Sequence, residues 1–286
     1  MVLYIILFIN AYYKRNRQMR KILTVRTTAV EAFRLWYFGQ TDDNASWNTE
    51  DKVIATIKGV YEANIKADYG TACHAIIEQP KLHRANIAAD PNEFITIASG
   101  KDVMPEPEPV WGYRYKKFKF TDKQAAPLIK YANEHPFMVR EVPIAKAYDV
   151  NSVTLVITGT TDAIEGCYLR DTKTKFSAVD PMEYMESVQW RLYLDMLGLK
   201  HFWYDIFPVK GFETLADVPK SVIEEVQSFM CTPYPEMVSD IHSILFEFMD
   251  WITFKGLEEH LAITPAKAKK IIAGNPSLRS LCLSSV

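Results

Sequence analysis

The stretch GTTDAIEGCYLRDTKTK, residues 159–175, predicts two neighbouring β-strands joined by a tight turn. It contains Asp162 after a Gly-Thr-Thr run, and Asp171 two residues before Lys173. Because side chains alternate along a strand, Asp171 and Lys173 lie on one face and Thr172 on the other. If the strands pair around a turn centred between positions 166 and 167, the two aspartates lie opposite each other. The stretch therefore predicts two carboxylates and an ammonium group at one place.

Two neighbouring carboxylates repel each other unless positive charge compensates them, and a hard divalent cation with oxygen ligands is the usual solution. Mg²⁺ held by one or two carboxylates keeps several waters and binds phosphate oxygens well. A lysine on the same face can orient or deprotonate an attacking water, or stabilise the charge that develops on the phosphate. The three residues indicate metal-assisted phosphodiester hydrolysis. The alternative interpretation is an ordinary Asp–Lys ion pair beside an exposed aspartate.

Two predicted helices carry further polar side chains that could reach this site. Gln189 and Tyr193 are four residues apart, so they share a helix face beside the apolar stripe. His74 and Glu78 have the same spacing and could direct an imidazole and a carboxylate to the same place. A histidine on a helix is more often an ordinary packed side chain than a ligand.

Periodicity and turn residues predict helices and strands throughout the chain. In order, we expect a helix from Thr28 to Gly39, helices over 50–65 and after Thr71, loops over 80–110, a strand over 111–120, a helix over 122–134, strands over 138–149, 153–166 and 168–179, a helix over 181–198, a doubly buried strand over 201–212 and a long amphipathic helix near the C-terminus. Short turns between the three consecutive strands predict an antiparallel meander.

The strand WGYRYKKFKF mixes aromatic residues with four cations, which are Arg114, Lys116, Lys117 and Lys119. Aromatic rings can stack on bases while cations neutralise phosphates, so this segment is a candidate nucleic-acid contact. The alternative is a solvated strand face, which is the more common meaning of such a run.

Composition sets broad limits. With 286 residues and 48% hydrophobic residues, the chain predicts a folded protein with a sizeable core. A net charge of -2 gives no global attraction to polyanions, so a nucleic-acid site would need a local basic patch. The four cysteines lie far apart without a CxxC pair, which fits neither a disulfide framework nor a sequence-local zinc site. We therefore expect a cytoplasmic protein.

The first residues, MVLYIILFINAYYKRNRQMRK, contain an apolar run too short to span a bilayer, followed by a basic cluster. A weak membrane anchor is one interpretation. The other is an upstream extension over residues 1–18, with the native start near Met19. We expect a single domain over 19–286, with its motif-bearing core at 70–210 and a helical elaboration at 215–286.

Four short motifs occur in a fixed order: Gly-Thr-x-x-His-x-x-x-Glu at 70–78, Gly-Thr-Thr-Asp at 159–162, Asp-Thr-Lys at 171–173 and Gln-x-x-x-Tyr at 189–193. This series resembles the PD-(D/E)XK nuclease superfamily, and is most similar to its RecB-like branch with the lambda-type exonucleases. The resemblance covers residues 70–193. It implies an α/β fold with a central mixed β-sheet flanked by helices.

The resemblance also implies roles for residues. Asp162, Asp171 and His74 would be metal ligands together with the backbone carbonyl of Thr172, and Lys173 would be the catalytic lysine. Mg²⁺ or Mn²⁺ would be the cofactor.

Gln189 and Tyr193 match the helix motif that lies beside the substrate in RecB-like members and complete the catalytic set. Glu141 lies where many members carry an additional acid, and Glu78 is a further candidate. The iron–sulfur branch needs a cluster of three cysteines near the C-terminus, whereas only Cys231 and Cys282 follow the core, so no iron–sulfur cluster is predicted.

The sequence thus predicts a metal-dependent deoxyribonuclease, more an exonuclease than a site-specific endonuclease. The resemblance implies a role in phage or mobile-element recombination or in DNA repair. DNA, as a duplex or a single-stranded end, would be the substrate. A single-strand annealing protein or a helicase is the expected kind of partner, and homo-oligomers occur among similar exonucleases. The rival hypothesis is a nucleic-acid-binding or assembly subunit that keeps the fold without cleaving.

Overall fold

The computed structural model describes residues 21–39, 49–60, 64–87, 110–136 and 138–262. The helices are α1 (Thr27–Tyr37), α2 (Glu50–Lys58), α3 (Ile65–Glu78), α4 (Pro80–His83), α5 (Asp122–Glu134), α6 (Pro181–Met185), α7 (Val188–Leu197), α8 (Met237–Phe254) and α9 (Glu258–Leu261), with a 3₁₀ helix at Leu215–Lys220. The strands are β1 (Lys21–Arg26), β2 (Arg84–Asn86), β3 (Trp111–Tyr115), β4 (Phe118–Thr121), β5 (Val139–Val150), β6 (Val153–Glu165), β7 (Tyr168–Lys175), β8 (His201–Lys210), β9 (Val222–Ile223) and β10 (Gln227–Cys231).

Seven of the described strands form one mixed sheet in the order β1-β6-β7-β8-β10, with β5 paired to β6 and β9 paired to β8. The antiparallel meander of β5, β6 and β7 is as predicted. β1 runs parallel to β6, and β7 runs parallel to β8. The predicted α/β fold with a central mixed sheet flanked by helices is therefore confirmed.

One edge of β6 changes its partner within the Gly-Thr-Thr-Asp motif. β1 pairs with Val153 to Thr158 of β6, whereas β7 pairs only with Ala163 to Glu165. Between them, residues 159–162 have no strand partner on this edge among the described residues. Since β1 and β7 run in opposite directions along β6 and then diverge, a crevice opens at the motif, as at the switch points of other α/β sheets.

Two hydrophobic clusters hold helices against the sheet. The larger contains the buried faces of α1, α7 and α8 with β1, β6 and β8, and the smaller contains α3, α5, β4 and the end of β8. β8 contributes Tyr204 and Ile206 to the first cluster, and Phe207 and Val209 to the second. The predicted burial of this strand on both faces is confirmed, as expected for a strand covered by helices on two sides.

The predicted single strand over 111–120 is wrong. It is a hairpin of β3 and β4 that turns at Lys116 and Lys117, with Lys116 at a φ of 51°. Lysine is an unusual residue for this left-handed conformation, so the sequence carries no Gly or Asn signal for the turn.

Several predicted helix boundaries are also wrong. The helix expected over 50–65 ends at Lys58, because Gly59 adopts the left-handed conformation and caps it. The helix expected after Thr71 begins at Ile65, where Asn64 accepts hydrogen bonds from two backbone N–H groups. The helix expected from an N-cap at Thr28 begins at Thr27.

The helix expected over 181–198 is divided into α6 and α7. The break lies at Ser187, which caps α7, while Gly198 adopts the left-handed conformation and ends the helix at the predicted position. Sequence reasoning missed β1, β9 and β10, and the last two extend the sheet within the region that was expected to be helical. It also missed the short elements α4 and β2 in the region expected to be loops.

Residues 1–18, for which an extension or anchor was expected, lie outside the described residues, as does Cys282. None of the helices in the described ranges combines the length and the hydrophobicity that a membrane crossing requires.

Asp205 in the middle of β8 is fully buried and stabilises the contact between the sheet and α5. Its carboxylate accepts hydrogen bonds from Tyr131 at 2.6 Å, from Arg170 at 2.9 Å and from Ser228. A buried carboxylate is tolerated because these donors replace water.

We predict that Asp205→Ala lowers the free energy of unfolding by about 3–5 kcal/mol, because Arg170 and Tyr131 lose a buried partner. Urea unfolding followed by circular dichroism measures this change. The control is Asp250→Asn on the exposed side of α8, which should change stability by less than about 0.5 kcal/mol. Equal effects of the two substitutions would contradict this account of the network.

Candidate functional site

Asp162 and Asp171 lie where β6 and β7 separate. The last paired residues before them are Ala163 and Arg170, which is the register that the sequence predicts. Beyond this pair, the carboxylate of Asp162 takes the place of a backbone acceptor. It accepts hydrogen bonds from the backbone N–H of Thr172 at 2.9 Å and from its hydroxyl at 3.2 Å. Asp162 is thereby fixed against β7 at the residue next to Asp171.

Asp171 is 2% exposed and forms an ion pair with Lys173, whose Nζ lies 2.7 Å from Oδ2. Burial is the largest influence on the pKa of Asp171 and raises it, while Lys173 lowers it and Asp162 raises it by smaller amounts. For Lys173, burial lowers the pKa, but the two carboxylates together outweigh burial and raise it. The direct contact between Asp171 and Lys173 agrees with the prediction that the two side chains share one face of the strand.

The donor chemistry at Asp171 fits a hard cation. Its buried Oδ2 receives no hydrogen bond from the described residues, apart from the ion-pair contact with Lys173. A buried carboxylate oxygen with spare lone pairs is the ligand that Mg²⁺ and Mn²⁺ prefer. Within the described ranges, however, no group of three or more His, Cys, Asp and Glu side chains is arranged to hold a metal ion.

His74 approaches Asp162 from α3. A methyl group at Gly70 would lie 2.8 Å from the hydroxyl of Thr174, so this glycine allows α3 to pack closely on β7. One turn later, Nδ1 of His74 lies 3.2 Å from the Thr172 hydroxyl and 3.6 Å from Asp162. Burial lowers the pKa of His74, although Asp162 opposes this, and the lowered pKa favours the neutral imidazole that can act as a ligand.

Glu141 and Glu78 form a second acidic pair next to Asp162. Arg140 and Val142 pair with the two neighbours of Asp162, so Glu141 lies opposite Asp162 in the register, with a φ of 53°. A non-glycine residue in this region carries backbone strain of about 1–3 kcal/mol, which is common at functional sites. Burial and the proximity of Glu141 raise the pKa of Glu78 to about 7.

Tyr193 connects α7 to both sides of the crevice. Its hydroxyl donates to the carbonyl of Thr160 at 3.1 Å and lies 3.2 Å from the hydroxyl of Thr27. Gln189 contacts the same oxygen more weakly, at 3.4 Å. The hydroxyl of Tyr193 thus holds β6 and α1 in place at the crevice.

The start of α7 is held by α1. Oε2 of Glu31 accepts hydrogen bonds from the Ser187 hydroxyl at 3.0 Å and from the backbone N–H of Val188 at 2.8 Å. The position of Gln189, one residue further on, is therefore set by contacts with Glu31, which lies 156 and 157 positions away from its two partners. No local sequence pattern reveals these contacts.

A cleft of about 1220 Å³ contains five of the predicted site residues, namely Asp162, Asp171, Lys173, Gln189 and Tyr193. His74, Glu78 and Glu141 are not part of its lining. His74 contacts Asp162 directly at 3.6 Å and also through Thr172. The side chain of Thr172 points away from Asp171, as the strand alternation predicts.

The cations predicted for nucleic-acid contact are distributed over the β3–β4 hairpin and partly engaged by the protein itself. Lys117 pairs with Asp68 at 2.8 Å, Arg114 donates to the carbonyl of Asn86, and Lys116 lies over the ring of Tyr115. Lys119 is half-buried in β4. None of these four side chains lines the cleft.

The cleft also contains residues that sequence reasoning missed. Arg26 and Thr27 come from the junction of β1 and α1, Lys58 from the end of α2, and His260 from α9. The only local signal was the Thr-Thr pair at 27–28, which marks a helix start. Nothing in the sequence near Lys58 or His260 links them to the aspartates.

No protein-family model matches the chain, and no curated protein does. The crystal structure of an alkaline exonuclease (LHK-Exo) from Laribacter hongkongensis matches 87% of this chain and 94% of that chain, with a TM-score of 0.39 and 11% identity. The crystal structure of SSO0001 matches 43% of this chain, with a TM-score of 0.33 and 15% identity, and the chain covers only 55% of that protein. With TM-scores below 0.5, neither match supports a statement about the family or the activity of this chain.

We predict that Gly159→Ala disturbs the crevice, because the added methyl group would lie 2.5 Å from the ring of Tyr193. The expected loss in the free energy of unfolding is about 1–3 kcal/mol. In a Tyr193→Ala background the ring is absent, so the same change should cost less than about 0.5 kcal/mol. A double-mutant cycle by urea unfolding measures the coupling, and additive effects would show that the ring does not require a glycine here.

Proposed function

We propose that this protein is a Mg²⁺- or Mn²⁺-dependent deoxyribonuclease that hydrolyses phosphodiester bonds by in-line attack of water. The observation that carries the proposal is the buried Asp171, paired with Lys173 and adjacent to Asp162 at the floor of an open cleft. Two carboxylates beside the ammonium group of Lys173 suit metal-assisted phosphate hydrolysis better than a purely structural role as an ion pair. Lys173 is the one partner of the buried Oδ2 among the described residues, so this oxygen keeps a lone pair that a cation can use.

Asp162, Asp171 and the backbone carbonyl of Thr172 would supply the oxygen ligands, and His74 a nitrogen ligand. When bound, the cation polarises the phosphate and lowers the pKa of a coordinated water. The hydrogen bonds from Thr172 hold the carboxylate of Asp162 in one orientation. This preorganisation lowers the reorganisation needed when substrate binds.

Lys173 places a positive charge at the cleft, next to Asp171. In this position it can stabilise the negative charge that accumulates on the phosphate oxygens in the transition state. Gln189 lines the same cleft from α7 and can bind a phosphate oxygen or a water through its amide. Tyr193 acts with it by holding α7 against β6.

We further propose that the protein is an exonuclease acting in phage or mobile-element recombination or in DNA repair, in the cytoplasm. Besides the seven-stranded sheet and its helices, the described residues form a three-stranded sheet of β2, β3 and β4. The proposed partners are a single-strand annealing protein or a helicase, and assembly into a homo-oligomer is consistent with this role.

One observation favours the second candidate, a non-cleaving nucleic-acid-binding or assembly subunit. Among the described side chains, His74, Asp162 and Asp171 are not arranged as a three-ligand metal group. DNA binding that is unaffected by Mg²⁺, without any cleavage, would support this candidate.

We predict that Asp171→Asn lowers the rate of DNA cleavage by at least about 10²–10³-fold, because it removes a charge on which transition-state stabilisation depends. The assay follows end-labelled linear duplex and single-stranded DNA in Mg²⁺, in Mn²⁺ and in EDTA. The matched control is Asp250→Asn, which changes an exposed aspartate outside the cleft and should cleave like the wild type. Equal degradation by wild type and Asp171→Asn, or full activity in EDTA, would refute the assignment.

Lys173→Met should lower kcat by about 10²–10³-fold with a smaller change in KM, because the lysine acts most strongly on charge that develops in the transition state. Steady-state kinetics measure the two constants, and a thermal melt shows whether the variant remains folded. Lys200→Met is the control, since Lys200 is exposed and lies outside the cleft. A variant that is folded and fully active would exclude a catalytic role for Lys173.

A further inference from the structure

The two sides of the crevice carry different chemical groups. Asp171 and Lys173 lie on the β7 side, and Asp162 lies in β6 between the sides. The β1 side is formed by the end of α2 and by residues 260–262, which also line the cleft. Lys58 and His260 are the basic side chains that these two segments contribute.

We infer that Lys58 and His260 form a binding wall for the backbone phosphates of a nucleic-acid strand whose scissile phosphate lies at the aspartates. We further infer that the cleft holds this strand without reading its bases. The inference rests on the proposed function, and it adds the side of the site that no sequence motif marks.

The wall is fixed to the rest of the protein at both of its segments. Ala262 forms a β-bridge with Leu23 of β1, and Lys21 forms an ion pair with Glu258. At the far end of α2, Glu50 accepts a hydrogen bond from Trp251 at 3.0 Å and pairs with Lys255 at 2.9 Å. Lys58 and His260 therefore project from a supported surface, as binding to a defined strand path requires.

Charge in the cleft is divided between its floor and its walls. The acidic residues of the lining are Asp162 and Asp171, both assigned to the cation. The remaining charged residues are basic. Lys58 is exposed and has no acidic partner among the described residues, while His260 has only the distant and largely exposed Glu259, at 3.7 Å. Positive charge focused in a cleft attracts a polyanion even when the net charge of the protein is near zero.

The other groups that line the cleft suit backbone contacts. Lysine, arginine and threonine side chains and helix N-termini are common partners of phosphate oxygens, whereas base reading relies on amides at base edges or on stacked aromatic rings. The lining contains six threonines, which are Thr24, Thr27, Thr28, Thr56, Thr158 and Thr160. The hydroxyls of Thr56 and Thr158 donate to backbone carbonyls and that of Thr27 contacts Tyr193, so Thr24, Thr28 and Thr160 are the better candidates for phosphate contacts. Among its described residues, Gln189 is the one side-chain amide, and the aromatic rings are those of Tyr193 and His260. Tyr193 is 3% exposed and its hydroxyl is bonded to Thr160, so its ring is not available to stack on a base.

The test measures how binding of a fluorescent single-stranded oligonucleotide depends on salt. It uses the full-length protein in an Asp171→Asn background with Mg²⁺, so that binding is measured without cleavage. Each phosphate contact contributes about 0.7 to the slope of log K against log salt for a single strand. We expect Lys58→Ala to reduce the magnitude of the slope by about 0.7, and Lys58→Glu to weaken binding further.

Lys200→Ala, an exposed lysine outside the cleft, is the matched control and should leave the slope unchanged. His260→Gln should weaken binding in the same direction as Lys58→Ala. Oligonucleotides of different sequence should bind within a few-fold of one another. Thermal melts identify any variant that fails to fold, and for such a variant Lys58→Gln replaces Lys58→Ala.

The inference is overturned if the slope is the same with and without Lys58, if the Asp171→Asn protein binds no oligonucleotide, or if affinities differ strongly between sequences. Cleavage by the wild type is measured separately. If the wild type cleaves DNA and the salt slope does not depend on Lys58, the proposed function is supported and the phosphate-binding wall is refuted. If the salt slope depends on Lys58 and the wild type does not cleave DNA, the phosphate-binding wall is supported and the proposed hydrolysis is refuted.

Discussion

The close approach of Asp162 and Asp171 is the constraint on which the rest of this structure depends. Besides burial, the charge of Asp162 raises the pKa of Asp171, as expected for two neighbouring carboxylates that repel each other. The protein compensates this repulsion with the ammonium group of Lys173 and with the N–H and hydroxyl donors of Thr172. Apart from this contact with Lys173, the buried Oδ2 of Asp171 receives no hydrogen bond from the described residues. Such a buried charged arrangement contributes little to the stability of the fold, which indicates that it has a functional role.

The sheet creates the space that this site needs. If β6 kept one neighbour along its whole edge, residues 159–162 would be covered by a ladder and no cleft would form. Because β1 ends where α1 begins, and β7 pairs with β6 only near the hairpin turn, the edge is open at the motif. Gly159 then admits the ring of Tyr193, which connects the open edge to α7. The same backbone arrangement thus produces the opening and holds its sides together.

Local chemistry in the sequence was sufficient to predict that residues 162, 171 and 173 lie close together. The register of β6 and β7 follows from a tight turn and from strict alternation, so the juxtaposition of residues 162 and 171 could be predicted without knowledge of the fold. The ion pair between Asp171 and Lys173 follows from the same alternation. The capping glycines Gly59 and Gly198 mark helix ends by their conformational freedom, although only the second was recognised.

Features that depend on contacts distant in the sequence could not be predicted. β1 has only six residues, and its parallel partner begins more than 120 positions later, so no hairpin signal marks it. The break before α7 depends on Glu31, which caps the helix from α1. Lys58 and His260 enter the cleft because α2 and α9 both pack beside β1, and neither residue belongs to a motif. His74, by contrast, was predicted as a group near the aspartates, and it contacts Asp162 through Thr172 as well as directly.

The most direct test of the central claim is a crystal structure of the protein soaked in Mn²⁺, with anomalous diffraction used to locate the ion. We predict an anomalous peak between the two aspartates, with oxygens of Asp162 and Asp171 both within roughly 2.0–2.6 Å of the ion. No peak at this position at saturating Mn²⁺, or an ion held elsewhere while Asp171 remains paired only with Lys173, would contradict the account.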